Sequence, residues 1–160
     1  LAVTQFGRLD VLVNNAGIVH AADFLDLAEE DFDRVLRINL KGAFLCAQAA
    51  GRVMARQGEG GKIINISSMY SLFGPPNILH YATAKTGMLG LTRGLAVELA
   101  EHNIQVNALL PGWIETDLNR ERMRGPLGEH ARRKTPARRL SRTDDLVGAA
   151  IFLASPASLR

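Results

Sequence analysis

Two short stretches decide the fold: KIINIS at residues 62–67, and YATAK at residues 81–85. The first is a run rich in β-branched residues, which predicts a buried strand, and Gly74-Pro75-Pro76 marks a loop after it. The second opens an apolar run with helical spacing that continues to about Leu99. A buried strand followed by a full-length helix predicts a βαβ unit and therefore a parallel sheet.

The same alternation of strands and helices extends in both directions from these stretches. The order β-α-β-α-β-loop-α predicts an open α/β sheet with right-handed crossovers and helices on both faces. Ligands of such sheets bind beyond the carboxyl ends of the strands. The other predicted elements are a strand at residues 9–13, a long helix at 29–57, a strand at 104–110, a polar loop at 113–140 and a helix at 146–154.

Length and composition predict a single domain covering residues 1–160, with 47% hydrophobic residues and a net charge of +3. No apolar run reaches the roughly 18 residues of a membrane span, and we expect no signal peptide. Cys46 is the only cysteine, which excludes an internal disulfide and is typical of a reducing compartment. We therefore expect a cytoplasmic protein, with Cys46 buried in its core.

The spacing of Tyr81 and Lys85 has chemical meaning, because positions four apart on a helix share a face. A nearby cation favours the phenolate and would lower the pKa of the tyrosine, which could then exchange a proton with a carbonyl or alcohol oxygen. Ser68, just after the strand, could donate a hydrogen bond to the same oxygen. The simpler alternatives are a helix-start aromatic with a solvated lysine, and a serine that satisfies strand-end backbone groups.

Five motifs follow one another along the chain: Asn14-Asn15-Ala16-Gly17, Asn39, Ser68, Tyr81 with Lys85, and Pro111-Gly112 with Thr116. In order and spacing they resemble the classical short-chain dehydrogenases/reductases, over nearly the whole chain. The sequence looks closest to 3-oxoacyl-(acyl-carrier-protein) reductases and to gluconate or sugar dehydrogenases. The resemblance implies a Rossmann-like doubly wound parallel sheet, with NAD or NADP as cofactor. It also implies an oxidoreductase that interconverts a carbonyl and a secondary alcohol by hydride transfer.

The resemblance implies a role for each motif residue. Tyr81 would be the acid/base, Lys85 would lower its pKa and hydrogen-bond the nicotinamide ribose, and Ser68 would orient the carbonyl. Asn39 would hold a water that relays protons from Lys85 to solvent, although the residues alone indicate only a polar group bonding a nearby carbonyl. The cofactor would be bound by Asn15, Ala16 and Gly17 on the adenosine side, by Pro111, Gly112, Ile114 and Thr116 at the nicotinamide end, and by Tyr81 and Lys85.

The family pattern also contains segments that this chain does not match. A glycine-rich turn that cradles the cofactor pyrophosphate is missing, so we interpret the chain as the C-terminal catalytic portion of the fold. It would lack the N-terminal β-α-β-α-β part and the last strand. We expect an exposed edge on the 9–13 strand, marginal stability, weak dinucleotide binding and no activity of this segment alone. The rival hypothesis is a catalytically inactive fragment that acts as a binding or dimerisation module.

Partners are predicted from charge and from the resemblance. The arginine-rich residues 120–142 indicate a solvated lid, or attraction of an anionic substrate such as a sugar acid or an acyl-phosphopantetheine. Nucleic-acid binding is disfavoured because no aromatic residues interleave the charges. The resemblance implies a homodimer or homotetramer through helices 29–57 and 81–102. The histidines are too scattered for a metal site. His80, beside Tyr81, could touch the substrate, but local packing is the expectation. We expect a small-molecule carbonyl or alcohol substrate, and neither nucleic acid nor membrane as partner.

Overall fold

Three parallel strands form the centre of the molecule in the computed structural model, which describes residues 2–116 and 119–158. They are β1 (Val11–Asn14), β2 (Gly61–Ile66) and β3 (Ile104–Leu109), side by side in the order β1-β2-β3. Lys62 of β2 pairs with Val11 on one side and Gln105 on the other. The predicted parallel sheet is confirmed, and each strand begins and ends within two residues of its predicted position.

Helices precede, connect and follow these strands. They are α1 (Ala2–Phe6), α2 (Glu29–Leu36), α3 (Gly42–Gln57), α4 (Leu79–Glu98), α5 (Arg120–Arg124), α6 (Pro126–Lys134) and α7 (Val147–Ala154). Within the part of the chain that the structure describes, none of these helices has the length and apolar character needed to cross a membrane.

Both faces of the sheet are covered, as predicted. On one face, α3 and α4 pack against the strands around a core that includes Met54, Ile63 and Val106. On the other face, α7 contacts β2, and the ammonium of Lys62 donates a hydrogen bond to Ser158 Oγ at 3.0 Å. Ile63 and Lys62 point to opposite faces because successive side chains alternate along a strand.

The long helix predicted at residues 29–57 is a single helical path, but it is not uniform. A π-helical turn at Arg37–Lys41 separates α2 from α3, and Asn39 lies in its middle. Such turns contain one residue more than an α-helix would use and often occur at functional sites. The path ends at Gly58, whose φ of 73° is left-handed and whose N–H donates to Met54 O.

Two expectations about exposure have different outcomes. Within the described residues β1 pairs only with β2, and Val13 is 51% exposed, so the predicted open sheet edge is confirmed. The prediction that Cys46 is buried is wrong, because its side chain is exposed. Ala43 and Ala47, four residues apart, take the sheet-facing positions of α3, and Cys46 lies on the outward side between them.

The arginine-rich segment was predicted to be a loop, and that prediction was wrong for α5 and α6. These helices form because the segment has a small core of its own, in which Met123, Ala131 and Leu140 are buried and Trp113 packs against them. Pro126 occupies the first helical position of α6, where its missing N–H costs nothing. The segment is therefore an ordered substructure attached to the sheet.

Candidate active site

Polar side chains link the strands near their carboxyl ends. Asn14 at the end of β1 donates from Nδ2 to Asn65 Oδ1 of β2 at 2.8 Å. Asn65 in turn donates from Nδ2 to Thr92 Oγ1 of α4 at 2.9 Å. All three side chains are buried, so these bonds hold α4 in a fixed position against the sheet.

Tyr81 and Lys85 lie in the first turns of α4, next to this edge of the sheet. The Lys85 Nζ atom is 5.6 Å from the centre of the Tyr81 ring. Lys85 is only 4% exposed, and its ammonium donates to the Ile66 carbonyl at 2.6 Å. Burial lowers the pKa of Lys85 to about 8. This lysine can therefore lose its proton much closer to neutral pH than a solvated lysine does.

The protonation of Tyr81 differs from the expectation drawn from the sequence. Burial raises the pKa of the Tyr81 hydroxyl, and the neighbouring Ser68 hydroxyl acts in the opposite direction. The expected lowering by Lys85 is not seen, since its ammonium is directed at the Ile66 carbonyl. The Tyr81 hydroxyl therefore holds its proton more firmly than a free tyrosine does.

Ser68 is the N-cap of a short 3₁₀ turn, Met69–Ser71, that follows β2. Its Oγ accepts a hydrogen bond from the Tyr70 N–H at 3.2 Å, and its carbonyl accepts one from Ser71 Oγ. Satisfaction of the backbone, the simpler alternative for this serine, is therefore seen. A hydroxyl that accepts one bond still has its proton to donate, so Ser68 also remains available to an oxygen near Tyr81.

Asn39 holds the loop that follows β1. Its side chain is fully buried, its Oδ1 accepts from the Ile18 N–H, and its Nδ2 donates to the Ile18 carbonyl, both at 2.8 Å. The amide thus bonds nearby backbone, as the residues alone indicated. A Cβ on Gly17 would lie 3.2 Å from Asn39 Oδ1 and 3.8 Å from Lys85 Nζ. Glycine is favoured here because a Cβ would press on the Asn39 amide, whereas its distance to the lysine would be an ordinary van der Waals contact.

The residues expected to bind the cofactor lie in two loops beside this centre. Asn15, Ala16 and Gly17 are exposed directly after β1. Pro111 accepts a hydrogen bond from the Met69 N–H at 3.0 Å, which joins the loop after β3 to the loop after β2. The structure thus brings the β1, β2 and β3 loops to one edge of the sheet.

The remaining cofactor candidates are held by residues that the sequence analysis missed. The Asn119 Oδ1 atom accepts a hydrogen bond from the Thr116 N–H at 2.8 Å. Its Nδ2 atom donates a hydrogen bond to the Ile114 carbonyl at 2.9 Å. Ile114 forms a bridge with Ser141, whose N–H donates to the Trp113 carbonyl at 2.8 Å. Asn119 lies only three residues after Thr116, so this local spacing was a usable signal.

The structure also brings together two histidines that are far apart in sequence. The rings of His20 and His80 meet edge to face with their centres 6.0 Å apart. His80 is fully buried, neither ring nitrogen has a hydrogen-bond partner among the described residues, and burial lowers the pKa of His80. Among residues 2–116 and 119–158, no group of three or more candidate ligands is placed to hold a metal.

Comparisons with known proteins match this architecture along nearly its whole length. A family model described as enoyl-(acyl carrier protein) reductase matches residues 1–159. The 2-dehydro-3-deoxy-D-gluconate 5-dehydrogenase of Escherichia coli (strain K12) is 43% identical over 159 residues, which are 98% of this chain and 62% of that protein. The 3-oxoacyl-[acyl-carrier-protein] reductase of Thermotoga maritima is 40% identical over 156 residues, 98% of this chain and 63% of that protein.

A solved structure gives the same result in three dimensions. The gluconate 5-dehydrogenase of Burkholderia cenocepacia J2315, in complex with NADP and tartrate, superposes with a TM-score of 0.93 at 42% identity. The match covers 99% of this chain and 62% of that one. The chain thus spans about 62% of the length of these relatives and forms part of a Rossmann-like doubly wound sheet, as predicted. It belongs to the short-chain dehydrogenase/reductase family.

Proposed function

We propose that this chain is the catalytic portion of an NAD(P)-dependent oxidoreductase that interconverts a carbonyl and a secondary alcohol. The observation that carries the proposal is the convergence of Ser68, Tyr81 and Lys85 beside the carboxyl end of β2. Ligands of doubly wound sheets bind at this edge. The names of the relatives, which are dehydrogenases and reductases, support the same reaction class.

Each of the three side chains has a distinct task in the proposed reaction. The Tyr81 hydroxyl gives its proton to the carbonyl oxygen during reduction, and its phenolate takes a proton from the alcohol in the reverse direction. Ser68 donates a hydrogen bond to the same oxygen. Lys85, whose Nζ is 5.6 Å from the ring centre, would stabilise the phenolate by its positive charge once its ammonium turns from the Ile66 carbonyl toward the hydroxyl.

We place the dinucleotide at the edge of the sheet where the loops after β1, β2 and β3 meet, next to Lys85. Because Gly17 has no side chain, nothing from that position blocks the approach to the Lys85 ammonium. In the proposed enzyme Asn15, Ala16 and Gly17 hold the adenosine side, and Lys85 with Tyr81 holds the ribose. A bound nicotinamide supplies or accepts the hydride. The loop residues that hold its nicotinamide end are Pro111, Gly112, Ile114 and Thr116. One relative's structure contains NADP, which supports this assignment.

Asn39 supports this site indirectly. Its amide makes one hydrogen bond at Oδ1 and one at Nδ2 to the backbone of Ile18, so it fixes the loop that carries Gly17. We propose that Asn39 and this loop border a water-filled path by which protons pass between Lys85 and solvent. The pKa of Lys85 near 8 suits such a role, because a relay needs a group that both binds and releases protons near neutral pH.

Two further proposals concern assembly and the rival function. A groove of about 650 Å³ between the helices is lined largely by apolar residues, among them Leu36, Leu40, Phe44 and Leu91. It supports homodimer or homotetramer formation through helices 29–57 and 81–102. A catalytically inactive dimerisation module would show this assembly without turnover, so analytical ultracentrifugation together with an activity assay separates the two functions.

The deciding experiment is Tyr81→Phe in the full-length protein that contains this chain. We expect turnover to fall by about 10²–10⁴-fold, as for other lost general acids. The Kd for the reduced cofactor should change little, because Lys85 still holds the ribose. Thr83→Val, at an exposed position two residues further along α4, is the matched control and should retain full turnover. Turnover by Tyr81→Phe equal to that of the control would overturn the mechanism.

A further inference from the structure

A buried serine joins the end of β2 to the helix that carries Lys85. Ser67 is 3% exposed, and its Oγ donates a hydrogen bond to the Lys85 carbonyl at 2.9 Å. In return, the Lys85 ammonium donates to the carbonyl of Ile66, the residue before Ser67, at 2.6 Å. The two bonds run in opposite directions between one dipeptide and one lysine, so they close a ring that includes the whole lysine side chain.

The sheet holds Ser67 in place. Its N–H donates to the Leu109 carbonyl at 2.8 Å, directly after the paired residues of β2 and β3. The two consecutive serines have different partners, since Ser67 bonds the backbone of α4 whereas the Ser68 hydroxyl lies beside that of Tyr81. Ser67 is therefore a fixed point against which α4 is positioned.

The two bonds of the ring hold different parts of the lysine. The Ser67 bond reaches the Lys85 backbone, whereas the Ile66 carbonyl holds the ammonium at the end of a flexible side chain. A backbone carbonyl has two lone pairs, so that of Lys85 can accept from Ser67 and also from the next turn of α4. The ammonium can therefore turn away from Ile66 while the Ser67 bond stays intact.

We propose that Ser67 is a positioning residue for Lys85, because its hydroxyl fixes the lysine backbone while the ammonium moves from the Ile66 carbonyl toward the reaction centre. The inference rests on the proposed oxidoreductase function, which requires that movement. A flexible side chain brings its charge to a defined place only if its backbone does not drift, and small misplacements are costly in an active site. Ser67 acts through Lys85 alone.

Ser67→Ala in the full-length protein removes this bond. The deleted hydroxyl is the donor, so no buried donor is left unpaired. The helix keeps other ties to this end of the sheet, such as the hydrogen bond from Thr86 Oγ1 to the Ser71 carbonyl at 3.1 Å, so the variant should fold. Hydrogen–deuterium exchange of the amides of residues 82–89 should become about fivefold faster, the weight of one neutral hydrogen bond.

Ser158→Ala is the matched control for this exchange measurement. Ser158 is also buried, its Oγ donates to the Leu153 carbonyl at 2.9 Å, and it lies on the opposite face of the sheet, where it accepts from Lys62. The change should speed exchange in residues 147–158 and leave residues 82–89 as in the unmodified protein. Equal exchange of residues 82–89 in Ser67→Ala and in this control would overturn the inference.

Binding of the reduced cofactor tests whether the fixed backbone matters for the task of Lys85. Titrations with NADPH and with NADH, followed by nicotinamide fluorescence, give the Kd. Ser67→Ala should raise the Kd of the nucleotide that binds by about fivefold, and Ser158→Ala should leave it unchanged. Normal binding with a Kd unaffected by Ser67→Ala overturns this inference alone. An unmodified protein that binds neither nucleotide overturns the proposed function and this inference with it.

The Lys85→Met background separates a positioning role from a general structural one. Lys85→Met removes the ammonium but keeps the backbone carbonyl that Ser67 bonds. Adding Ser67→Ala should therefore still speed exchange of residues 82–89, whereas the Kd should not rise further. A Kd that Ser67→Ala raises by the same factor in both backgrounds would show that Ser67 supports the site independently of the lysine, and would overturn the inference.

Discussion

Replacing Asn39 with aspartate tests whether the buried amide holds the loop after β1. The Asn39 side chain accepts a hydrogen bond from the Ile18 N–H and donates one to the Ile18 carbonyl, each at 2.8 Å. An ionised carboxylate keeps the acceptor but places a negative oxygen against the Ile18 carbonyl. A protonated carboxyl restores the donor and reproduces both bonds. The Asn39→Asp variant is therefore expected to fold with its new carboxyl protonated, and the pKa of that carboxyl should be strongly raised.

The size of the effect follows from the cost of protonation. An unfolded aspartate has a pKa of about 3.9, so keeping the carboxyl protonated at pH 7 costs about 4 kcal/mol, at 1.36 kcal/mol per pH unit. Between these pH values the folded variant binds one proton more than the unfolded chain. Its stability relative to the unmodified protein should therefore fall as pH rises, by about 1.4 kcal/mol per unit.

Urea denaturation followed by circular dichroism at pH 5, 6 and 7 measures this dependence. Gln48→Glu makes the same chemical change at an exposed position of α3 and should show no comparable slope. A stability difference between the Asn39→Asp variant and the unmodified protein that stays constant from pH 5 to 7 would refute the reasoning. In that case the introduced carboxyl would not be buried against Ile18.

Other substitutions test the remaining buried groups by the same denaturation assay. Burial lowers the pKa of Lys85 to about 8, so between pH 8 and 10 the unfolded chain binds a proton that the folded protein does not. The free energy of unfolding of the unmodified protein should therefore rise over this range, and Lys85→Met should lack this part of the rise. Burial also lowers the pKa of His80, so the free energy of unfolding should fall as pH falls through about 6.5. His80→Leu should remove this pH dependence without destabilising the protein at pH 7, because neither ring nitrogen has a hydrogen-bond partner to lose among the described residues. Met54→Ala should cost about 2–5 kcal/mol because it opens a cavity in the core, whereas Leu25→Ala, at a 92% exposed position, should cost almost nothing.

Local patterns in the sequence were enough for most of the architecture. Strands β2 and β3 and helix α4 were predicted because periodicity, β-branched content and glycine positions are local properties. The i, i+4 spacing likewise placed Tyr81 and Lys85 on one face, and the structure has Lys85 Nζ 5.6 Å from the ring centre. These features need no knowledge of distant residues.

Features that depend on burial and distant contacts were not predictable in this way. The pKa of Tyr81 is raised because its hydroxyl is removed from water, and the Lys85 ammonium, which could oppose this, donates to the Ile66 carbonyl instead. Helices α5 and α6 are stabilised by packing under Trp113, in a small core whose residues show no helical periodicity in the sequence. Cys46 was misplaced because an apolar neighbourhood in sequence does not show which side of a helix meets the sheet.

The π-helical turn at Arg37–Lys41 keeps the buried faces of α2 and α3 on the same side of the helical path. Val35 and Ala43 both face the interior, with 1% and 7% exposure. They are eight positions apart, and in an uninterrupted α-helix at 100° per residue they would be rotated by about 80° relative to each other. The π-helical turn accommodates one of these eight residues without further rotation, which leaves seven α-helical steps of 100°. Seven steps bring Ala43 to nearly the same side of the helix as Val35. Loss of one residue inside the turn would keep both helical halves facing inward and remove only the widening around Asn39, whereas the same loss elsewhere would rotate one half out of register. The helix can thus change in length within this one turn while its two packing faces stay aligned.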